Sequence, residues 1–164
     1  ANSDSSVSIV ENISAASGPS LWFGKTRGTS LGANTVVQSG DELGTIVFNG
    51  ADGTDVQSMA AFIRASVDGT PGSNDMPGRI TFHTTDDGSA SPTERLRITS
   101  DGKVGINEAS PAAALDVEGS GVPVIVNSSN SNTYKIQLEN AGSTLGYIGA
   151  VTDAIVFSLS LIHI

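Results

Sequence analysis

A serine-centred motif near the start of the chain is the first set of residues that could do chemistry. The residues GTSLG at 28–32 match G-x-S-x-G, the nucleophile elbow in which a sharp strand-to-helix turn lifts a serine above a sheet. The residues that follow, ANTVV at 33–37, predict a turn and then a strand instead of the required helix. His83 is the only candidate general base for this serine, because the other histidine, His163, lies in the last six residues. We therefore expect Ser30 to have no catalytic role.

Acidic residues form the second set. Four aspartates near glycines could supply the oxygen ligands that Ca²⁺ prefers, namely Asp52, Asp55, Asp86 and Asp87. The sequence lacks the alternating EF-hand spacing, and an aspartate at a turn usually accepts hydrogen bonds from its own backbone. The adjacent pairs Asp41-Glu42 and Asp86-Asp87 suggest the acid and base of a glycosidase. Because neighbouring side chains of a strand point to opposite faces, neither pair predicts that chemistry within one chain.

Aromatic residues give two further candidates. Trp22, beside Phe23, could stack on a sugar ring, but a single Trp among apolar neighbours more often anchors a core or an interface. His83 alternates with Ile80 and Phe82 in a predicted strand, so it is expected on the opposite face, exposed or at an interface. Neither residue predicts a ligand site.

Charge and composition narrow the function classes. The formal net charge is −9, with 8 Lys and Arg against 17 Asp and Glu, and the basic residues are scattered singly, whereas nucleic-acid binding needs them clustered. We expect Arg95 and Arg97 to be solvated or paired with a carboxylate such as Glu94 or Asp101. The absence of cysteine from the sequence excludes disulfides and thiol chemistry. We expect no enzyme, no catalytic, cofactor-binding or metal-binding residue, no cofactor and no nucleic-acid partner.

The elements that must position these residues are strands. RITFHT at 79–84 and LRIT at 96–99 alternate apolar with polar residues, which predicts one buried face and one face in water. The segment MAAFIRA at 59–65 would also permit a short helix, but its alternation favours a strand. Four Asp-Gly pairs, at 52–53, 68–69, 87–88 and 101–102, predict tight turns in successive hairpins or a meander. The sequence thus predicts an all-β fold of short antiparallel strands, in a sheet or a sandwich-like module.

The order of these elements resembles the repeat of bacteriophage tail fibre and related virion appendage proteins. The resemblance is carried by PGR at 77–79, TTDDG at 84–88, SPTERLRI at 91–98, DGKVGI at 101–106 and SPAAALDV at 110–117. GDELGTIVF at 40–48 and DGTPG at 68–72 extend it, so that it covers about residues 19–117. Asn107 stands where the family repeat usually has glycine, which leaves the local turn open. The resemblance implies a structural segment between the virion and a distal receptor-binding tip.

That resemblance also implies partners and a location. The thin core, with 5% aromatic residues and many alanines, predicts burial between chains, and with the resemblance it predicts a homotrimer. Other tail or baseplate proteins are implied partners, and a host glycan or protein would be met through a distal part. The expected location is the virion, outside the cell after assembly in the host cytoplasm. A carbohydrate-binding module, a tail-spike depolymerase and a bacterial adhesin remain alternatives, and an ion on a symmetry axis remains open.

The chain divides into four expected segments. Residues 1–20 predict a connector with a weak strand at 7–10, and residues 21–117 a β-rich module with further strands at 21–25 and 36–37. Residues 118–158 begin a second β-rich segment, with strands predicted at 123–126, 134–138, 147–148 and 155–157. Residues 159–164 match a translated frame of the mosaic-end adapter of sequencing libraries, so we expect a non-native tail on a fragment that begins at Ala1. No apolar run approaches the ~20 residues that span a bilayer.

Overall fold

The computed structural model describes residues 5–120, 124–126, 136–140, 143–151 and 154–159. The chain divides into two compact units, Ala1–Glu118 and Gly119–Ile164. All regular secondary structure in the described residues is β-strand, so the all-β prediction is confirmed. Within the same residues, no helix is long and apolar enough to cross a membrane.

The first unit contains a six-stranded sheet in which strand order follows chain order. Its strands are β1 (Glu42–Gly50), β2 (Ser58–Val67), β3 (Gly78–Thr84), β4 (Thr93–Ile98), β5 (Val104–Ile106) and β6 (Leu115–Val117). Strands β1 to β5 form an antiparallel meander, as predicted, and β6 pairs with β5 in parallel. The strand prediction for 59–65 is confirmed, because these residues lie within β2.

The four Asp-Gly pairs fall in the four loops of this meander, but the loops are longer than the predicted tight turns. They span residues 51–57, 68–77, 85–92 and 99–103. The shortest loop shows why glycine is needed, since Gly102 has a φ of 81° and its N–H donates to the Thr99 carbonyl oxygen over 3.0 Å. The Thr99 hydroxyl also donates to Asp101.

The second unit contains a three-stranded antiparallel sheet. Its strands are β7 (Ile136–Asn140), β8 (Ser143–Val151) and β9 (Ala154–Leu159). These strands include the predicted strands at 147–148 and 155–157 and the described part of 134–138. Residues 124–126 are not in a strand, so that prediction is wrong where the structure describes it. Of the expected tail, Leu159 ends β9 and residues 160–164 lie outside the described residues.

Three predicted strands of the first unit are also wrong. Residues 7–10, 21–25 and 36–37 carry the expected apolar side chains but adopt no strand. A strand requires a partner for its backbone N–H and C=O groups, and the described part of the chain pairs none with these segments. Most of their apolar side chains are therefore exposed, with Val37 buried as the exception.

Pairing across the sheet gives it two chemically different faces. One face carries two apolar rows that cross all six strands. The first row is Ile46, Ile63, Phe82, Leu96, Ile106 and Val117, and the second is Gly44, Ala65, Ile80, Ile98, Val104 and Leu115. We call this the apolar face. The opposite, polar face carries a row of Thr45, Arg64, Thr81, Arg97, Gly105 and Asp116.

Burial on the two faces is the reverse of the prediction. On the polar face, Thr81 is only 4% exposed, whereas Ile80 and Phe82 beside it on the apolar face are 44% and 36% exposed. Thr81 lies between Arg64 and Arg97 in the register, and the aliphatic stems of long arginines cover a small neighbour well. The expectation of a buried apolar face is therefore wrong for the single chain.

The structure defines the backbone conformation at Asn107, in the turn that the sequence leaves open. It has a φ of 55°, in the left-handed region that glycine enters freely and that asparagine tolerates better than most residues. Its N–H donates to the Arg95 carbonyl oxygen over 2.9 Å, directly after β5. Asparagine therefore supports here the backbone conformation that a glycine would supply.

Candidate functional site

The serine motif at 28–32 forms a surface turn. The Ser30 carbonyl oxygen accepts a hydrogen bond from the Ala33 N–H over 3.1 Å, and Gly32 has a φ of 80°. Ser30 is exposed, and the residues on either side of the turn adopt neither strand nor helix. The turn lacks the strand-to-helix geometry that raises a nucleophile above a sheet.

Ion pairs and hydrogen bonds hold most of the carboxylates that the sequence singles out. Asp41 accepts two hydrogen bonds from the Arg27 guanidinium, each 2.6 Å long, which together with the Gln38 N–H lower the pKa of Asp41 well below its usual range. Glu42 pairs with Arg64 over 2.7 Å. Asp41 is not placed to act as a general acid, because such an acid needs a raised pKa and the pKa of Asp41 is lowered.

Asp52 and Asp55 serve the β1–β2 loop. The Ser58 hydroxyl donates to Asp52 over 2.7 Å and the Thr54 N–H donates to it over 2.8 Å, and these bonds lower the pKa of Asp52 to about 2. Asp55 accepts the Gln57 N–H over 2.8 Å. The prediction that these aspartates cap their own backbone is confirmed.

Asp52, Asp86 and Asp87 line one open cavity of about 380 Å³ between the β1–β2 and β3–β4 loops. Arg95 donates a hydrogen bond to Asp86 and lowers its pKa. Among the described residues, no group of three or more histidines or acidic residues is arranged to hold a metal ion.

One pair of neighbouring carboxylates is not predicted by the sequence. Glu108 follows β5 and Glu118 follows β6, and their side chains meet because β5 and β6 run in parallel. A hydrogen bond to Glu108 and its negative charge raise the pKa of Glu118, with Asp116 adding to the effect. The signal that could have found this pair is the parallel pairing of β6, which no local pattern encodes.

The polar face holds a continuous set of stacked and paired side chains. The His83 ring stacks on the Phe62 ring, with centroids 4.0 Å apart and planes 17° apart. The Arg64 guanidinium carbon lies 4.5 Å from the Phe62 ring centroid on the same face. The His83 Nε2 atom is 4.0 Å from Glu94, and burial lowers the pKa of His83. His83 lies on the predicted face but is largely covered.

The arginines of β4 have separate carboxylate partners. Arg97 donates to both oxygens of Glu94 over 2.6 and 2.8 Å and also to the Ala109 carbonyl oxygen. Arg95 donates to Thr84 over 3.1 Å and to Asp86. The expected pairing of Arg97 with Glu94 is confirmed, and Arg95 pairs across the β3–β4 loop because a register shift follows Phe82.

The apolar face is partly uncovered in the described residues of the first unit. The exposed large side chains of this face are 36% to 60% exposed and comprise Ile46, Ile80, Phe82, Ile98, Ile106 and Leu115, with Phe48 beside them on β1. With aromatic side chains of about 200 Å² and aliphatic ones of somewhat less, they leave on the order of 600 Å² of apolar surface exposed. The largest patch on a typical monomer is roughly 300–600 Å². The face carries no charged residue in either apolar row.

A groove of about 310 Å³ lies at the β1 end of this face, and we call it the Phe23 groove. It is lined mainly by apolar residues, including Phe23, Leu43, Ile46, Ile63, Ala65 and Ile80. Phe23 lies directly over Gly44, so a Cβ atom at Gly44 would come within 2.7 Å of the Phe23 Cβ. The adjacent Trp22 is 89% exposed, so it anchors no core within one chain.

Comparison with known proteins gives two similar solved structures. The carboxy-terminal domain of the bacteriophage T5 L-shaped tail fibre has 19% identity and a TM-score of 0.48, over 81% of this chain and 48% of that chain. The same domain with its intramolecular chaperone domain has 14% identity and a TM-score of 0.48, over 98% of this chain and 44% of that chain. The matches span about half the length of those chains. No protein-family model matches this sequence, and no curated protein matches it.

Proposed function

We propose that this chain is a structural segment of a bacteriophage tail fibre or a related appendage, and that it supports host attachment as part of a homotrimer in the virion. Residues 21–117 form one fibre module in this proposal, and residues 118–158 begin a second. Other tail or baseplate proteins are its partners along the fibre. The ordered sequence motifs over 19–117 support the family, and the apolar face supports the assembly.

The single observation that carries this proposal is the pair of apolar rows across six strands. A sheet with one wet and one dry face must cover the dry face, and this module offers no second layer to do so. Copies of the same chain would cover the face by closed symmetry, which is the usual route to soluble oligomers. The paired charges of the polar face then point to water and keep the fibre soluble.

The chemistry of the charged side chains in the first unit supports a structural role over a reactive one. Arg64, Arg97 and Arg27 each contact a carboxylate within the chain, so these cations are committed to the fold. The low pKa values of Asp41 and Asp52 suit hydrogen-bond acceptors rather than proton donors.

Immunolabelling tests the proposal. Antibodies raised against the purified chain are applied to virions of a phage that carries the complete gene, and the bound label is located by electron microscopy. We expect label along the tail fibres. Label on the surface of uninfected bacteria, with none on virions, would instead establish a bacterial adhesin.

A carbohydrate-binding module is the second candidate, and the exposure of Trp22 favours it. An exposed indole offers a flat apolar surface on which a sugar ring can stack. A glycan array compares the chain with Trp22→Ala. Binding that disappears in the variant would support this function, and equal signals from both proteins would rule out Trp22 as the platform.

Oligosaccharide released from capsular polysaccharide, and lost in Glu118→Gln, would support a depolymerase.

A further inference from the structure

We propose that Trp22 of one copy occupies the Phe23 groove of an adjacent copy. The inference rests on the proposed oligomer and adds to it a specific contact between chains. Trp22 and the Phe23 groove are different parts of one chain, so in a closed ring of three copies each Trp22 would occupy the groove of the next copy.

The groove fits an aromatic guest. It is open, its volume is about 310 Å³, and its walls come from β1, β2 and β3 on the apolar face together with Phe23. Ala65 provides a small side chain on the floor between Ile63 and Ile80, which leaves room above it. Aromatic rings such as Phe23 favour offset or edge-to-face contact with a second ring. The groove therefore has the size and chemistry for an indole.

Trp22 has the properties of an anchor that lacks its pocket. It is 89% exposed, although an indole exposed to water costs free energy in proportion to its apolar area. Its neighbour Phe23 is packed over Gly44, so the backbone next to Trp22 is tied to the β1 end of the sheet. Leu21, on the other side, is 64% exposed. Aromatic anchors that fill a partner's pocket carry much of the binding energy in protein interfaces.

The surroundings favour a copy of this chain as the partner. The apolar face continues from the groove across β4 to β6, so a chain seated in the groove also covers the neighbouring rows. Stable interfaces bury about 800 Å² on each partner. The face supplies on the order of 600 Å², and Trp22 with Leu21 adds on the order of 200 Å² or more. These two contributions lie on opposite sides of one contact, and together they supply about half of the roughly 1,600 Å² that a stable interface buries in total.

Intrinsic fluorescence tests the contact directly, because Trp22 is the only tryptophan in the chain. The full chain is diluted in steps, and each sample is measured for mass by light scattering and for acrylamide quenching of its emission. We expect blue-shifted, weakly quenched emission in the trimer and a several-fold rise in quenching as monomer appears.

Three outcomes of this experiment distinguish a failure of the contact from a failure of the proposed function. A trimer whose Trp22 is quenched as freely as a monomer's would overturn the contact and leave the fibre assignment intact. A monomer at every concentration would overturn the trimer of the proposed function, and the contact with it. A protected Trp22 in a monomer would show that the groove holds the chain's own indole, which also overturns the contact.

A pair of variants locates the guest in the groove. Ala65→Phe fills the floor of the groove and should expel Trp22, which gives a red shift and several-fold stronger quenching. Ala60→Phe adds the same ring on the same strand but lines the other cavity, so it should leave the emission unchanged. Protected emission in folded Ala65→Phe would overturn the proposal. If that variant fails to fold, the dilution series on the unaltered chain still decides.

Discussion

Replacing Phe82 with alanine should weaken the association of copies as well as the fold of one chain. Phe82 lies in the middle strand of the apolar face and keeps 36% of its surface exposed in the single chain. For a side chain of about 200 Å², this is about 70 Å² that another copy would cover in the proposed trimer. At about 25 cal/mol per Å², covering it stabilises each chain by about 1.8 kcal/mol. Over three copies this is about 5 kcal/mol, or about 10⁴-fold in the trimer dissociation constant.

Phe62→Ala is the matched control, because Phe62 lies on the neighbouring strand but on the opposite face. It is 7% exposed, so its burial is complete within one chain, and its loss should lower the free energy of unfolding by about 3–5 kcal/mol. Light scattering over a dilution series gives the dissociation constant, and chemical denaturation gives the stability. A trimer dissociation constant that is unchanged in Phe82→Ala would refute the assignment of the apolar face as the interface between copies. Trimers weakened by a folded Phe62→Ala alone would place the interface on the polar face.

Three further predictions test individual features of the fold. Asn107→Gly should be neutral or stabilising, while Asn107→Ala should lower the free energy of unfolding by about 1 kcal/mol, because alanine resists a φ of 55°; equal stability of the two in denaturant melts would contradict this. Gly105→Ala should lower the free energy of unfolding by about 1–3 kcal/mol in the same melts, because its Cβ would lie 2.1 Å from the Glu108 carbonyl oxygen. An unchanged melt would show that β5 is not packed there. Burial lowers the pKa of His83 from 6.5, so the unfolded chain takes up the proton first and stability should fall as pH drops below about 6.5. His83→Phe keeps the stack on Phe62 and should flatten that fall; an identical pH profile in both proteins would show that another group titrates.

Periodicity in the sequence predicts the strands but not the side that is covered. Ile80, Thr81, Phe82 and His83 alternate as expected and form β3, yet alternation alone is symmetric about the sheet. Which face is closed depends on what lies above it. Here Thr81 on the polar face lies between two arginines and is buried, whereas Ile80 and Phe82 on the apolar face stay partly exposed.

Other features depend on distant pairing and were beyond local patterns. The apolar residues at 21–25 and 36–37 predict strands, but a strand exists only where a partner accepts its hydrogen bonds. The register shift after Phe82 directs Arg95 to Asp86, and the parallel β6 brings Glu118 to Glu108. By contrast, the positions of the loops between β1 and β5 could be predicted from the Asp-Gly pairs, because turn chemistry is local.

The exposed indole illustrates the same limit for the candidate site. The sequence predicts that Trp22 anchors a core or an interface. The structure shows that Trp22 does not lie in the core of a single chain. The groove beside it is built from three strands and an irregular segment, so it exists only in the folded chain. Its match to an aromatic side chain could be seen only in three dimensions.

The molecular mass of the full chain in solution shows whether copies of this chain cover the apolar face. Sedimentation equilibrium at several concentrations gives this mass without assuming a shape. A mass three times the 16.6 kDa of one chain, falling only on dilution, is the predicted result. A mass of 16.6 kDa at every concentration would contradict the account, because the apolar face would then be stable in water without a partner.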